Sequence, residues 1–189
     1  MVKRSGLLII LGSPATGKTG LASALAADLG IPCFSKDEFK ETLFDSLGVG
    51  DREWSAALSR ASFALLLRTA AAELGAGRPC LLEGNWRSEH EAALKAVGRG
   101  IESPFAQVCC HADAAEIERR FQGRQRHAGH LDRIMWSAIA STLTAEPRFL
   151  ALAEPTWIYR GDAAGSYEQL RRDLEIWFEG RQIGTTSST

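Results

Sequence analysis

Near the start of the chain, Gly12-Ser13-Pro14-Ala15-Thr16-Gly17-Lys18-Thr19 constrains everything that follows. The residues spell G-x-x-x-x-G-K-[ST], the P-loop pattern, in which a glycine-rich turn joins a strand to a helix and its N–H groups cradle a polyphosphate. The context fits. Leu7-Leu8-Ile9-Ile10-Leu11 precedes it, an apolar run suited to a buried parallel strand. Leu21 to Leu29 follows as an Ala/Leu helix, stopped by Gly30 and Pro32. At ordinary glycine usage the pattern arises by chance at roughly one position in thirty thousand. A chance turn carrying an exposed lysine is therefore a poor rival.

Chemistry explains the residue types. A polyphosphate approaches the backbone too closely to leave room for a Cβ, so Gly12 and Gly17 are glycine. The following helix start adds partial positive charge. Lys18 is expected to reach the β- and γ-phosphates and the Thr19 hydroxyl to ligate Mg²⁺, with Gly12 through Gly20 forming the nucleotide cradle.

The 189 residues suffice for one domain with a sizeable core. Lys and Arg number 22 against 23 Asp and Glu, a balance that gives no support to a chain coating nucleic acid or a membrane surface. No apolar run approaches the ~20 residues of a membrane span. Lys3 and Arg4 before an apolar run resemble a signal peptide, but the run is short and leads straight into the P-loop. The reading is the first strand of a cytoplasmic protein. Cys33, Cys80, Cys109 and Cys110 have no C-x-x-C spacing and read as buried free thiols.

Ile31 to Ser35 reads as a second strand, and Asp37 stands just past its carboxyl end, where open α/β sheets place their chemistry. Asp37 is a candidate general base for a substrate hydroxyl. Two alternatives compete: Asp37 caps a helix starting near Glu38, or Glu38 is the acid and Asp37 the cap. A long helix is expected from about Arg52 to Leu74, with Trp54, Leu58, Ala61, Leu65, Leu66 and Ala72 near helical spacing.

Pro79 to Glu83 is the third strand. Its terminal acid suits either Mg²⁺, held through water, or a substrate hydroxyl. Asn85 and Arg87 are placed to contact substrate and Trp86 to stack on it. A helix is expected over about Glu89 to Val97, a fourth strand over Pro104 to Cys110, and a helix capped by Asp113 from Ala114 to Phe121. Five arginines follow between Arg119 and Arg133, among them Arg120, Arg124 and Arg126, around Gly123 and Gly129. Arginines on a mobile segment can close over a triphosphate, so residues 121–133 read as a lid, with His127 and His130 as lid or substrate contacts. Helical sequence is expected from about Ile134 to Leu152, interrupted at Pro147, then a strand over Pro155 to Arg160 and a closing helix over Ser166 to Phe178.

The alternation of strands and helices implies one α/β domain over residues 1–183. It is a doubly wound, five-stranded parallel sheet with helices on both faces and an Arg-rich lid. Residues 184–189 read as a disordered tail. With these pieces assembled, the chain resembles the small P-loop kinases of the AAA_33 type, a group with chloramphenicol phosphotransferase, zeta toxins and polynucleotide 5′-hydroxyl kinases. The resemblance covers about residues 5–160. It rests on the P-loop, on Ser35-Lys36-Asp37, on Cys110-His111-Ala112-Asp113 with Arg120 and Arg124, and on Arg126-His127-Ala128-Gly129-His130. It implies Asp37 as the base and Arg120, Arg124 and Arg126 as nucleotide contacts.

Two departures stand out. Glu83 occupies a position where many relatives carry aspartate, and Tyr159-Arg160-Gly161-Asp162 lacks the relatives' threonine-rich strand end. The expectation is a kinase that moves the γ-phosphate of ATP, with Mg²⁺, to a hydroxyl of a small molecule. Lys18, Asp37, Arg124 and Arg126 would be catalytic, and Asp37, Glu83, Asn85 and Arg87 would contact substrate. The alternatives are a polynucleotide-end kinase, for which the charge balance gives no help, and a non-catalytic nucleotide-binding switch.

Overall fold

The apolar runs of the sequence become strands in a computed structural model: β1 Leu7–Gly12, β2 Cys33–Ser35, β3 Cys80–Glu83, β4 Phe105–Cys110 and β5 Thr156–Tyr159. The structure describes residues 5–98, 104–123, 146–152, 155–161 and 164–180, with 127, 129, 136, 140, 141 and 143 individually. The strands pair in parallel in the order β2-β3-β1-β4-β5. A parallel sheet is covered on both faces. That is why β1, β3 and β4 are buried along almost their whole length and read as continuous apolar runs.

Helices flank the sheet, among them α1 Lys18–Leu29, α2 Lys36–Leu47, α3 Arg52–Gly75, α4 Glu91–Val97, α5 Ala114–Gly123 and α6 Ser166–Phe178, with a 3₁₀ turn over Ser88–His90 leading into α4. Alternate side chains of β1 face opposite ways. Leu8 and Ile10 meet α1 and α6 through Leu21, Leu25, Leu174 and Phe178. Leu7, Ile9 and Leu11 meet α3 and α4 through Leu66, Leu74 and Leu94. Among the described residues no helix is long and apolar enough to cross a membrane.

The topology places the site. The β1 strand is flanked by β3, on the side that leads to β2, and by β4, on the side that leads to β5. Its carboxyl end is the point where strand order reverses, and open α/β sheets bind ligands in that crevice.

Two expectations need correction. The buried face of α3 is Ser55, Leu58, Ser62, Leu66, Ala70 and Leu74, while Trp54 and Leu65 are exposed. Small Ser55 and Ser62 lie inward, and each finds a partner: Ser55 Oγ accepts from Lys40 on α2, and Ser62 Oγ donates to the Leu58 carbonyl. Hydrophobicity alone misplaces a face built partly of satisfied serines.

The second correction is that residues 146–152 form no helix. The Gln107 amide, fully buried in β4, donates to the Leu150 carbonyl at 3.0 Å and accepts from the Leu150 N–H at 2.9 Å. The amide thus imitates a strand partner, using backbone groups that a continuing helix would satisfy internally.

Candidate active site

The loop from Gly12 to Gly17 has the conformation a phosphate cradle requires. Gly12 has φ +141°, and a Cβ there would collide with the Cys110 carbonyl oxygen of β4. Gly17, at φ +93°, is the N-cap of α1 and supplies no side-chain cap, so the first N–H groups of the helix remain for a ligand. Ala15 takes φ +64°, a left-handed conformation that a residue with a Cβ adopts only when its surroundings impose it. Thr16 Oγ1 and Lys18 Nζ both donate to the Ser13 carbonyl at 2.9 Å and brace the turn. Lys18 is 8 % exposed, its ammonium held at the loop mouth.

The ends of β2 and β3 converge beside it. Ser35 pairs in register with Glu83, and its hydroxyl donates to Glu83 Oε2 at 2.6 Å. Burial pushes the Glu83 carboxyl above its ordinary value; Lys18 and the Ser35 hydrogen bond oppose the rise, and the Asp37 and Glu38 charges add to it. Such a carboxylate contributes stability below its unfolded-state pKa and loses that contribution as pH rises through its folded value. Glu83→Gln is therefore expected to raise the ligand-free Tm by a few degrees at neutral pH and to flatten its pH dependence above the carboxylate range. Thermal melts from pH 4 to 8 check this; a Tm lowered at every pH would show that Glu83 carries no ionisation penalty.

Ser35, whose hydroxyl is committed to Glu83, occupies the N-cap position of α2. Asp37 is therefore not the cap but a first-turn residue, and Glu38 is exposed. Asp37 is half-exposed, and its Oδ1 accepts from the buried Lys36 ammonium at 3.0 Å.

Arg120 reaches the loop from α5. Its guanidinium would lie 3.8 Å from a Cβ built on Gly17, and Glu116 steadies it at 2.5 Å. Arg119, by contrast, pairs with Glu116 on the solvent face. The two arginines hold the Glu116 carboxyl down at about 2. Arg124, Arg126 and His130, and most of residues 121–133, lie outside the described residues, as does the tail at 184–189. His127 is described. It stacks on Phe44 at 5.7 Å and meets Asp45 at 3.0 Å, so it rests on the far half of α2.

Asn85 and Arg87 line a cavity of about 360 Å³ beside Gly12, Ser13 and Pro14. Trp86 is not a stacking platform. It is 5 % exposed, with its ring packed on Phe63 at 5.1 Å and on His90 at 5.6 Å. Burial pushes the thiols of Cys33, Cys80 and Cys110 up to about 12, which makes them unreactive packing groups.

The sequence reading missed Lys36 and Lys40 as buried cations. Lys40 donates to Ser55 at 2.9 Å and sits 5.3 Å over the Phe44 ring. The signal was available: Lys36, Lys40 and Phe44 recur every four residues and share one helix face.

The residues fit a nucleotide, since a Cβ-free cradle, uncapped helix amides and Lys18 converge. Among the described residues no group of three or more His, Cys, Asp or Glu could hold a metal by itself. A divalent cation would draw on the exposed Thr19 hydroxyl and on Glu83, with phosphate oxygens and water completing its shell, the arrangement Mg²⁺ favours.

Fold and loop together define a nucleotide-binding P-loop domain with the parallel sheet of the P-loop kinases. The sequence matches the AAA domain family AAA_33 over residues 7–145, and the chain belongs to that family. Among solved structures it is similar to a candidate kinase from Chloroflexus aurantiacus: 28% identity, TM-score 0.81, covering 96% of this chain and 100% of that one. Kti12 from Chaetomium thermophilum, in complex with ADP-AlF3, shares the fold at 17% identity and TM-score 0.63, over 89% of this chain and 96% of its own. The Mycobacterium tuberculosis APS kinase CysC, in complex with AMPPNP and APS, does so at 19% identity and TM-score 0.53, over 93% and 99%. No curated protein matches the sequence.

Proposed function

We propose that the protein is an ATP-dependent phosphotransferase that moves the γ-phosphate of ATP to a hydroxyl of a small molecule. One observation carries the reading. Asp37, a carboxylate with 40% of its side chain exposed, is held by a buried ammonium at the end of β2, on the rim that also carries Lys18 and Glu83. A nucleotide switch has no use for a carboxylate presented there; transfer to a hydroxyl does. The nucleotide-bound APS kinase of the same fold is consistent with it.

In this reading the loop amides and Lys18 hold the β- and γ-phosphates, and Arg120 approaches from α5. Asp37 accepts the proton of the attacking hydroxyl, and Lys36 fixes the direction in which that carboxylate points. Thr19 and Glu83 would hold Mg²⁺, which when bound neutralises phosphate charge. Asp37, Glu83, Asn85 and Arg87 would meet the acceptor. Positioning and fixed charge supply most of the rate in this chemistry.

Arg124 and Arg126 complete the proposal as lid residues. They fall in sequence between Arg120, against the P-loop, and His127, against α2. Arg124→Ala and Arg126→Ala are each expected to lower turnover by about 10²-fold or more, the usual share of a cation that meets transferring charge, with little change in Tm. The test of the whole reading is acceptor-dependent ADP release across a panel of hydroxyl compounds. Full activity in both arginine variants removes the lid, and no acceptor-dependent release by the wild type removes the transferase.

A further inference from the structure

We propose that the cavity beside Gly12–Pro14, which Asn85 and Arg87 line and Asp37 does not, receives the non-reacting end of the acceptor and selects a small polyhydroxylated compound carrying one anionic group, a carboxylate or a phosphate. The inference rests on the phosphotransfer reading above and adds the chemistry of the acceptor. The cavity, about 360 Å³, is bounded by the loop rim, by the residues that follow β3, by the end of β4 and by residues 146–150. Ligand pockets run from about 300 to 1,000 Å³, so this one suits a small metabolite. Its contact with Ser13 and Pro14 sets any occupant next to the loop that would hold the γ-phosphate.

Two adjacent wall residues carry buried polar atoms that have no partner among the described residues, Asn85 Oδ1 and Trp86 Nε1. Buried polar groups left unpaired are rare in folded proteins and mark places where a ligand or water belongs. One of these atoms accepts and the other donates. A hydroxyl can answer either, donating to an amide oxygen or accepting from an indole N–H. The indole cannot turn away, because Phe63 and His90 hold its ring.

Charge supplies the second half of the argument. Arg87 and Arg148 line the same cavity, both exposed, and among the described residues neither has a carboxylate within ion-pair distance. Two carboxylates share the wall: Glu146 already has a partner, and Glu89 is exposed beside His90, whose charged form burial disfavours, so among the described residues one free carboxylate stands against two guanidinia. A guanidinium matches carboxylate and phosphate oxygens through parallel N–H bonds. A small pocket whose wall residues carry an unpaired buried acceptor and donor, with two guanidinia that meet no carboxylate among the described residues, fits an anionic polyol better than a neutral one.

The experiment uses the full chain, γ-labelled ATP with Mg²⁺, and a deproteinised small-molecule cell extract split by anion exchange into retained and flow-through fractions. Label should pass to an organic product from the retained fraction. Prior treatment of that fraction with alkaline phosphatase separates the sources: a phosphate-bearing acceptor loses activity and a carboxylate-bearing one keeps it. Arg87→Ala and Arg148→Ala should each raise the dose of active fraction needed for half-maximal rate by about tenfold or more. Half-saturating ATP and Tm should stay unchanged, and Arg148→Lys should recover part of the loss.

Transfer driven by the flow-through fraction overturns the anionic class. Transfer from the retained fraction with an unchanged dose in both alanine variants overturns the subsite. A wild type that binds ATP yet labels nothing from either fraction overturns the phosphotransfer reading and this inference with it.

Discussion

Asp37→Asn is expected to leave nucleotide affinity nearly unchanged while acceptor-dependent turnover falls by about 10²- to 10⁴-fold, the usual share of general-base catalysis. The structure makes this substitution a clean one. Asn keeps the shape and an amide oxygen that can still accept from the Lys36 ammonium, now 3.0 Å from Asp37. The cap of α2 is untouched, because Ser35 occupies that position. What is lost is the capacity to take a proton. Turnover is read as acceptor-dependent ADP release, with ATP binding measured in parallel by calorimetry. Equal turnover by the two proteins would sink the base assignment.

Lys18→Ala is expected to abolish most nucleotide binding while the chain still folds. Mg·ATP at about 100-fold its Kd stabilises a binding protein by about 2.7 kcal/mol. For a chain of this length that raises Tm by about 5–10 °C. The substitution also removes the hydrogen bond from Lys18 Nζ to the Ser13 carbonyl, a bond worth about 1 kcal/mol, and the attraction between Lys18 and Glu83. The mutant should therefore melt a few degrees lower without nucleotide and gain almost nothing with it. Scanning calorimetry with and without Mg·ATP reads both. An undiminished nucleotide-induced shift would remove Lys18 from the phosphate site.

These two substitutions probe residues that differ in how the chain reveals them. Lys18 is recognisable because phosphate binding needs contiguous residues. The cradle is built from one loop and one helix start, so its glycines, lysine and threonine fall at fixed spacing. Asp37 is recognisable only through its place after a strand. The competing reading, a helix cap, fails because α2 begins at Lys36 and Asp37 lies inside its first turn, a boundary the local sequence does not mark.

The sequence by itself determined the strand–loop–helix of the P-loop, the five strands and the closing helix over Ser166–Phe178, because each is written in local apolar periodicity and turn residues. Tertiary structure alone decided which serines of α3 lie inward, that Gln107 holds Leu150 out of a helix, and that Trp86 is a wedged ring rather than a platform. It also brought buried Lys36 to Asp37 and left Asn85 Oδ1 and Trp86 Nε1 unpaired beside the loop. The physical reason is that a buried polar side chain needs a partner or a ligand, and where the partner is distant in sequence, as Lys40 is from Ser55 and Leu150 from Gln107, packing chooses it and local pattern does not.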